Sequence, residues 1–376
     1  MEIRFLRSGL IIFSLFAISA DASSRFSAEM YTSKIMSVMQ AVADWQMSQP
    51  DDPNVSDTGW INGVFCAGLV ELAKILPDSK YMTEMKRTGE RNGWKAGPDK
   101  YNANDHTIGQ MYLELYCIYR DRAMIKPLRK QFDYILENHT PADIKNEEDR
   151  WSWCDALFMA PPVWAKMAQI TSDKKYLEFM DREFTLTTEK LYDANEHLYF
   201  RDDRRKIERT AEVKKVFWSR GNGWVMAGVV KVIKELPPNF HARDRYLRIF
   251  KEMAAKLAAL QQPDGLWKSS LLDPNGYPSK ETSGTALFCY AFAWGINQGI
   301  LDRTTYLPVV EKSWKGLVEC VESNGKLRYV QRSGAAPRKM IDDPNPKYGI
   351  RFGIGAFLLA GTEVYKLALI NEKKRI

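Results

Sequence analysis

Six segments of this chain are apolar nearly all the way round a helix, and they alternate with segments that are apolar on one side only. The first kind reads WINGVFCAGLVELAKIL (60–76), NDHTIGQMYLELYCIY (104–119), SWCDALFMAPPVWAKM (152–167), GNGWVMAGVVKVIKEL (221–236), TSGTALFCYAFAWGI (282–296) and YGIRFGIGAFLLAGTEVYKL (348–367). A helix with no polar face has to be buried on every side, whereas segments such as 79–92 and 242–261 keep a charged face in water. Apolar periodicity near 3.6 predicts twelve helices, over 28–48, 61–76, 79–92, 105–121, 124–138, 153–170, 174–191, 221–236, 242–261, 283–299, 304–321 and 351–371. Taking Gly63, His106, Asp155, Gly223, Gly284 and Gly353 as equivalent points, the steps are 43, 49, 68, 61 and 69 residues. Each step is one helical hairpin. Six hairpins with buried inner and solvated outer helices predict an all-α fold, an (α/α)6 barrel, formed by residues 23–376 as a single domain. An open solenoid is the competing arrangement, and it calls for more uniform repeats and inner helices free of polar residues.

Residues 1–22 read as an export signal. Arg4 and Arg7 make a basic start, Leu10 to Ala17 an apolar run too short to span a bilayer, and Ala20-Asp21-Ala22 a small-residue cleavage site. A periplasmic or secreted protein without a membrane anchor is expected. The net charge of +7 is spread along the chain without a basic block, which argues against a nucleic-acid partner and leaves only a mild bias toward anionic substrates. The five cysteines stand far apart in apolar contexts and read as buried thiols rather than a disulfide framework. Four histidines without an i,i+4 pair, and no Cys-x-x-Cys, predict no metal; no phosphate-cradling glycine loop occurs, and no cofactor is expected.

Polar residues at the starts of the inner helices carry the functional signal, because those ends gather at one mouth of the barrel. Trp60, Asp105, Trp153, Asp155, Arg220, Asn222, Trp224 and Glu281 all fall there. Asp105 reads equally as an ordinary helix cap. Asp155 is flanked by Trp153, Cys154, Ala156, Leu157 and Phe158, surroundings that raise a carboxylate's pKa and suit it to general-acid work. Tryptophans beside two carboxylates and an arginine favour a carbohydrate site, since indole faces stack on sugar rings. Arg220, in WSRGNGW, can fork onto a carboxylate or merely hold its loop.

The segments NANDHTIGQMY (102–112), RWSWCDALFMAPP (150–162), FWSRGNGWV (217–225), QPDGLWKSSLLDP (262–274), ETSGTALFCYAFAWGI (281–296) and YGIRFGIGAFLLAG (348–361) resemble glycoside hydrolase family 105, the unsaturated rhamnogalacturonyl and related uronyl hydrolases. The resemblance covers nearly all of residues 30–370 and implies an (α/α)6 barrel. It implies that Asp155 is the general acid and base, that Asp105 holds the substrate, and that Trp153 stacks on it. Arg220 and Trp224 would contact the unsaturated uronate. The substrate so implied is a lyase-generated oligosaccharide ending in a 4,5-unsaturated uronic acid, of the pectic rhamnogalacturonan type. The family pattern puts a His after its L-[YF]-[YF] segment, whereas here Leu198-Tyr199-Phe200 is followed by Arg201, with His197 on the other side. Arg201 would then be the cation for the uronate carboxylate. A conventional inverting glycosidase, using Asp105 or Glu281 as a second carboxylate, and an inert glycan-binding protein are the other readings.

Overall fold

The computed structural model describes residues 26–50, 52–77, 79–138, 151–341 and 350–373. The segment read as an export signal lies outside them.

Helices account for most of the described chain. In order they are α1 (Thr32–Ser48), α2 (Trp60–Ile75), α3 (Lys80–Arg91), α4 (Ala103–His106), α5 (Gly109–Tyr119), α6 (Lys126–Asn138), α7 (Ala156–Met159), α8 (Pro161–Thr171), α9 (Lys174–Leu191), α10 (Ser219–Glu235), α11 (Arg243–Ala259), α12 (Thr282–Asn297), α13 (Arg303–Glu319) and α14 (Arg351–Lys373). Two of the twelve expected helices are broken. The one expected over 153–170 splits into α7 and α8 at Ala160, because Pro161 and Pro162 occupy the first positions of a new helix, where a missing N–H costs nothing. The one expected over 105–121 splits into α4 and α5 across Thr107 and Ile108. Side-chain caps start several others: Asp173 accepts from Lys175 N at 3.2 Å, and Asp302 from Thr305 N at 2.7 Å.

The inner helices pack in a ring. α2 meets α5, α5 meets α8, α8 meets α10, α10 meets α12, α12 meets α14, and α14 returns to α2. The last contact is made at van der Waals distance by two glycines. A Cβ on Gly68 would fall 2.2 Å from the Gly355 carbonyl oxygen, and one on Gly355 would fall 2.2 Å from that of Val64. The ring is closed, which excludes the open solenoid. α14 is long and apolar enough to cross a membrane by composition alone, but it is flanked by α2, α12 and α1 and most of its apolar stretch is buried there. Charged residues on the inner helices pair at the end away from the mouth: Lys74 with Glu71 at 2.7 Å and Glu114 at 3.1 Å, Lys166 with Glu235 at 3.2 Å, and Lys234 with Glu363 at 3.1 Å.

Strand structure is slight. β1 (Tyr192–Asp193) and β2 (Leu198–Tyr199) form a short antiparallel hairpin, and Val321 bridges Leu327. All five cysteines are free thiols, four of them buried.

Candidate active site

Asp155 sits immediately before α7 and is 9% exposed. Burial raises its pKa above the ordinary carboxylate value, against the opposing positive charges of Arg201 and Arg220. Its Oδ2 lies 3.6 Å from Arg201 Nε and 3.5 Å from the Cys154 thiol, which donates to it. A carboxyl group in these surroundings holds its proton to higher pH than a solvated one, as proton donation at a sugar requires.

Two connections fix this corner. The Cys154 N–H donates to the Arg201 carbonyl at 2.9 Å, joining the chain before α7 to the chain after β2. From α10, Asn222 binds β2, and its Nδ2 also reaches the Trp218 carbonyl at 3.1 Å. The Arg201 guanidinium bonds Asp202 Oδ2 at 2.6 Å through Nη1. His197 faces elsewhere. It turns the β1–β2 hairpin with a left-handed φ of 53°, and its Nδ1 lies 3.0 Å from the Tyr192 hydroxyl.

Arg220 is 1% exposed, and its guanidinium lies between the rings of Trp218, at 4.5 Å, and Phe352, at 4.8 Å. Nη1 donates to the Gln331 carbonyl and Nη2 to that of Arg332 at 3.0 Å, so the side chain holds the 331–332 loop over the mouth. Burial lowers its pKa to about 10, which leaves it a cation at neutral pH. Gln331 is a second fastener. Its Oε1 accepts from Trp218 Nε1 at 3.2 Å and from the Ser269 hydroxyl at 2.6 Å.

Asp105 lies in the first turn of α4, which packs against α7. Its Oδ2 accepts the Asp99 N–H at 2.7 Å, while Oδ1 has no protein donor among the described residues. Partial burial, with the Asp99 charge nearby, raises its pKa. Asp105 therefore shapes the loop before α4 and keeps one oxygen for a further partner. His106 beside it is a buried neutral side chain, with its pKa lowered to about 4 by burial and its Nδ1 accepting from Trp164 Nε1 at 3.2 Å.

The tryptophans divide into two groups. Trp224 is fully buried, with Phe158 at 4.9 Å and Phe352 at 6.2 Å between ring centres. Trp60 lies 5.1 Å from Phe352. Phe158 and Phe352 are also fully buried, so Trp224, expected to contact the uronate, is a core residue with no face open to a sugar. Trp153, two residues before Asp155, is 9% exposed and has no ring partner among the described residues. Glu281 differs from Asp155. Both of its oxygens cap α12, Oε2 accepting the Gly284 N–H at 2.7 Å and Oε1 that of Ser283 at 2.9 Å.

The structure thus places Asp155 and Arg201 together, with Arg220 close by, and places Trp224 in the core. Asn222 stood among the polar residues at the inner-helix starts, whereas Asp202 and Gln331 were not selected from the sequence. Asp202, adjacent to Arg201, is the one of those two whose position gave a hint.

Comparison with known proteins puts this geometry in context. The family profile described as Glycosyl Hydrolase Family 88 matches residues 38–368. The chain is 36% identical over 353 residues to the unsaturated 3S-rhamnoglycuronyl hydrolase of Formosa agariphila, covering 89% of this chain and 91% of that protein. A solved structure described as a glycosyl hydrolase family 88 protein from Bacteroides vulgatus aligns with a TM-score of 0.80 at 33% identity, over 89% of this chain and 99% of that one. A possible family 105 member from Salmonella enterica shares the fold, with a TM-score of 0.73 at 20% identity over 89% of this chain and 94% of its own. The resemblance read from the motifs is borne out.

Proposed function

The chain belongs to glycosyl hydrolase family 88, and on that premise we propose that it removes a 4,5-unsaturated uronic acid from the non-reducing end of lyase-generated oligosaccharides. The single observation that carries the mechanism is the buried Asp155 carboxyl, with its raised pKa, beside the cation Arg201. Protonated Asp155 donates to C4 of the vinyl ether, and the positive charge that develops at C5 is shared with the ring oxygen. Water then adds at C5 while the Asp155 carboxylate takes its proton, so one group serves first as acid and then as base. The C5 hemiketal opens to a ketone as the C5–O bond to the ring oxygen breaks. The hydroxyl so released on C1 makes a hemiacetal, which expels the aglycone alcohol and leaves an aldehyde.

Arg201, whose side chain is partly exposed, supplies the charge for the uronate carboxylate. Arg220 acts through the loop it holds and through its positive charge. Asp105 Oδ1 takes a sugar hydroxyl, and Trp153 stacks on the ring. A conventional inverting route through Glu281 is disfavoured, because both Glu281 oxygens are committed to α12.

For the aglycone we favour rhamnose. The Formosa agariphila relative is named for a 3S-rhamnoglycuronyl substrate, which shifts the preferred parent glycan away from the pectic type read from the motifs. Export, read from residues 1–22, belongs to the same proposal, and N-terminal sequencing of the mature protein tests it. The function is tested by incubating the enzyme with unsaturated rhamnoglycuronyl and rhamnogalacturonyl disaccharides in D₂O. Loss of the enoate ultraviolet absorbance, with deuterium at C4 of the keto product, is expected. Cleavage of the saturated glycosides without deuterium at C4 would make it a conventional glycosidase.

A further inference from the structure

Asp202 follows Arg201 in sequence and is 5% exposed. Its two oxygens do different things. Oδ2 takes Arg201 Nη1 at 2.6 Å, and Oδ1 accepts the Arg204 N–H at 3.1 Å, capping the short 3-10 turn Asp203–Ile207. On the other side of the same guanidinium, Asp155 Oδ2 stands 3.6 Å from Nε, beyond hydrogen-bond length, and that buried Nε–H has no hydrogen-bond partner. One cation therefore lies between two carboxylates and is bonded to only one of them.

The distance matters for chemistry. A carboxylate hydrogen-bonded to a guanidinium is stabilised in its charged form, and its pKa falls by about 1–3 units. An Asp155 so paired would be ionised at neutral pH and could not give a proton to carbon. The other groups around Asp155 do not replace this control. Arg220 of α10 is a second cation, partly offset by Glu281 of α12. The Cys154 thiol is pushed well up by burial and is neutral. From α4, His106 is neutral and the Asp105 carboxylate is turned to the Asp99 N–H.

We infer that Asp202 is a positioning residue that holds the Arg201 guanidinium back from Asp155, so that Asp155 stays protonated for the reaction. The inference rests on reading Asp155 as the proton donor. It assigns to this chain a carboxylate–guanidinium–carboxylate arrangement at the position where the family pattern has a histidine.

Asp202→Asn is the test, because asparagine caps a turn as well as aspartate does and only the charge is lost. Freed from Asp202, Arg201 closes on Asp155 and lowers its pKa. The alkaline limb of the kcat–pH profile on an unsaturated disaccharide should move down by about one pH unit, a tenfold loss of protonated enzyme above the new pKa. In the double variant Asp202→Asn/Arg201→Gln, with no cation to close, the limb should return to the wild-type position or above. A merely structural role would lower kcat without moving the limb. If Asp202→Asn does not fold by circular dichroism, Asp202→Ser, which also caps, replaces it. A limb that coincides with wild type in the folded single variant, or an equal downward shift in the double variant, overturns the inference. Wild-type enzyme inactive on every unsaturated disaccharide would instead overturn the proposed function.

Discussion

Asn222 and Tyr199 exchange a complete pair of hydrogen bonds: the Tyr199 N–H donates to Asn222 Oδ1 at 2.8 Å, and Asn222 Nδ2 donates to the Tyr199 carbonyl at 3.0 Å. Two residues further on, the Arg201 carbonyl accepts the Cys154 N–H. One buried side chain of α10 therefore sets the register between Arg201 and Asp155, which come from segments nearly fifty residues apart.

Asn222→Ala leaves both Tyr199 main-chain groups without their partner in a buried place. Each such group costs about 1–3 kcal/mol. Urea denaturation should show a loss in that range or above, and kcat should fall as Arg201 loses its anchor. Unchanged stability and turnover would show that β2 is held by other means.

Asp155→Asn should keep the fold and bind substrate, while turnover drops by about 10²–10⁴-fold, the usual contribution of a positioned proton donor. The enoate absorbance measures it directly. Activity within a few-fold of wild type would remove Asp155 from the acid role.

The same residue carries a stability signature. The folded-state pKa of Asp155 is raised, so folding disfavours its charged form, and that penalty is complete above the folded pKa and absent below the ordinary aspartate value. Asp155→Asn, which is never charged, should therefore have a higher Tm than wild type at neutral pH. The difference should close as the pH falls through the folded pKa toward the ordinary value. Calorimetric scans across acidic and neutral buffers would show it, and a gap that widens toward low pH would contradict the sign.

Gly68→Ala tests the closure of the ring. Its Cβ would fall 2.2 Å from the Gly355 carbonyl oxygen, a backbone atom that cannot swing away. Overpacking of this kind costs about 1–3 kcal/mol, occasionally more. Thermal melting should show the loss, and turnover per folded molecule should change little because Gly68 lies outside the Asp155 corner.

The fold was legible because its signal is periodic and local. α9 was expected over 174–191 and is found at Lys174–Leu191, where periodicity and the Asp173 cap agree. The break at Ala160 was also written in the chain, in Pro161-Pro162, but a continuous apolar run on both sides outweighed it. Asp155 could be singled out because its neighbours in sequence are its neighbours in space. The partners of Arg220 could not, since Gln331 and Arg332 lie in a non-helical stretch more than a hundred residues away with no repeating pattern. Trp224 was expected, with Arg220, to contact the uronate. Which of its faces Phe158 and Phe352 cover depends on how α7, α10 and α14 meet, and sequence spacing does not carry that information.

The aromatic cluster in this part of the barrel is solid rather than hollow. Phe158, Trp224 and Phe352 are all fully buried against one another, so none of their ring faces is open for a sugar to lie on. Trp224 therefore serves the site through packing, as backing for the helix that carries Arg220 and Asn222, and not through contact.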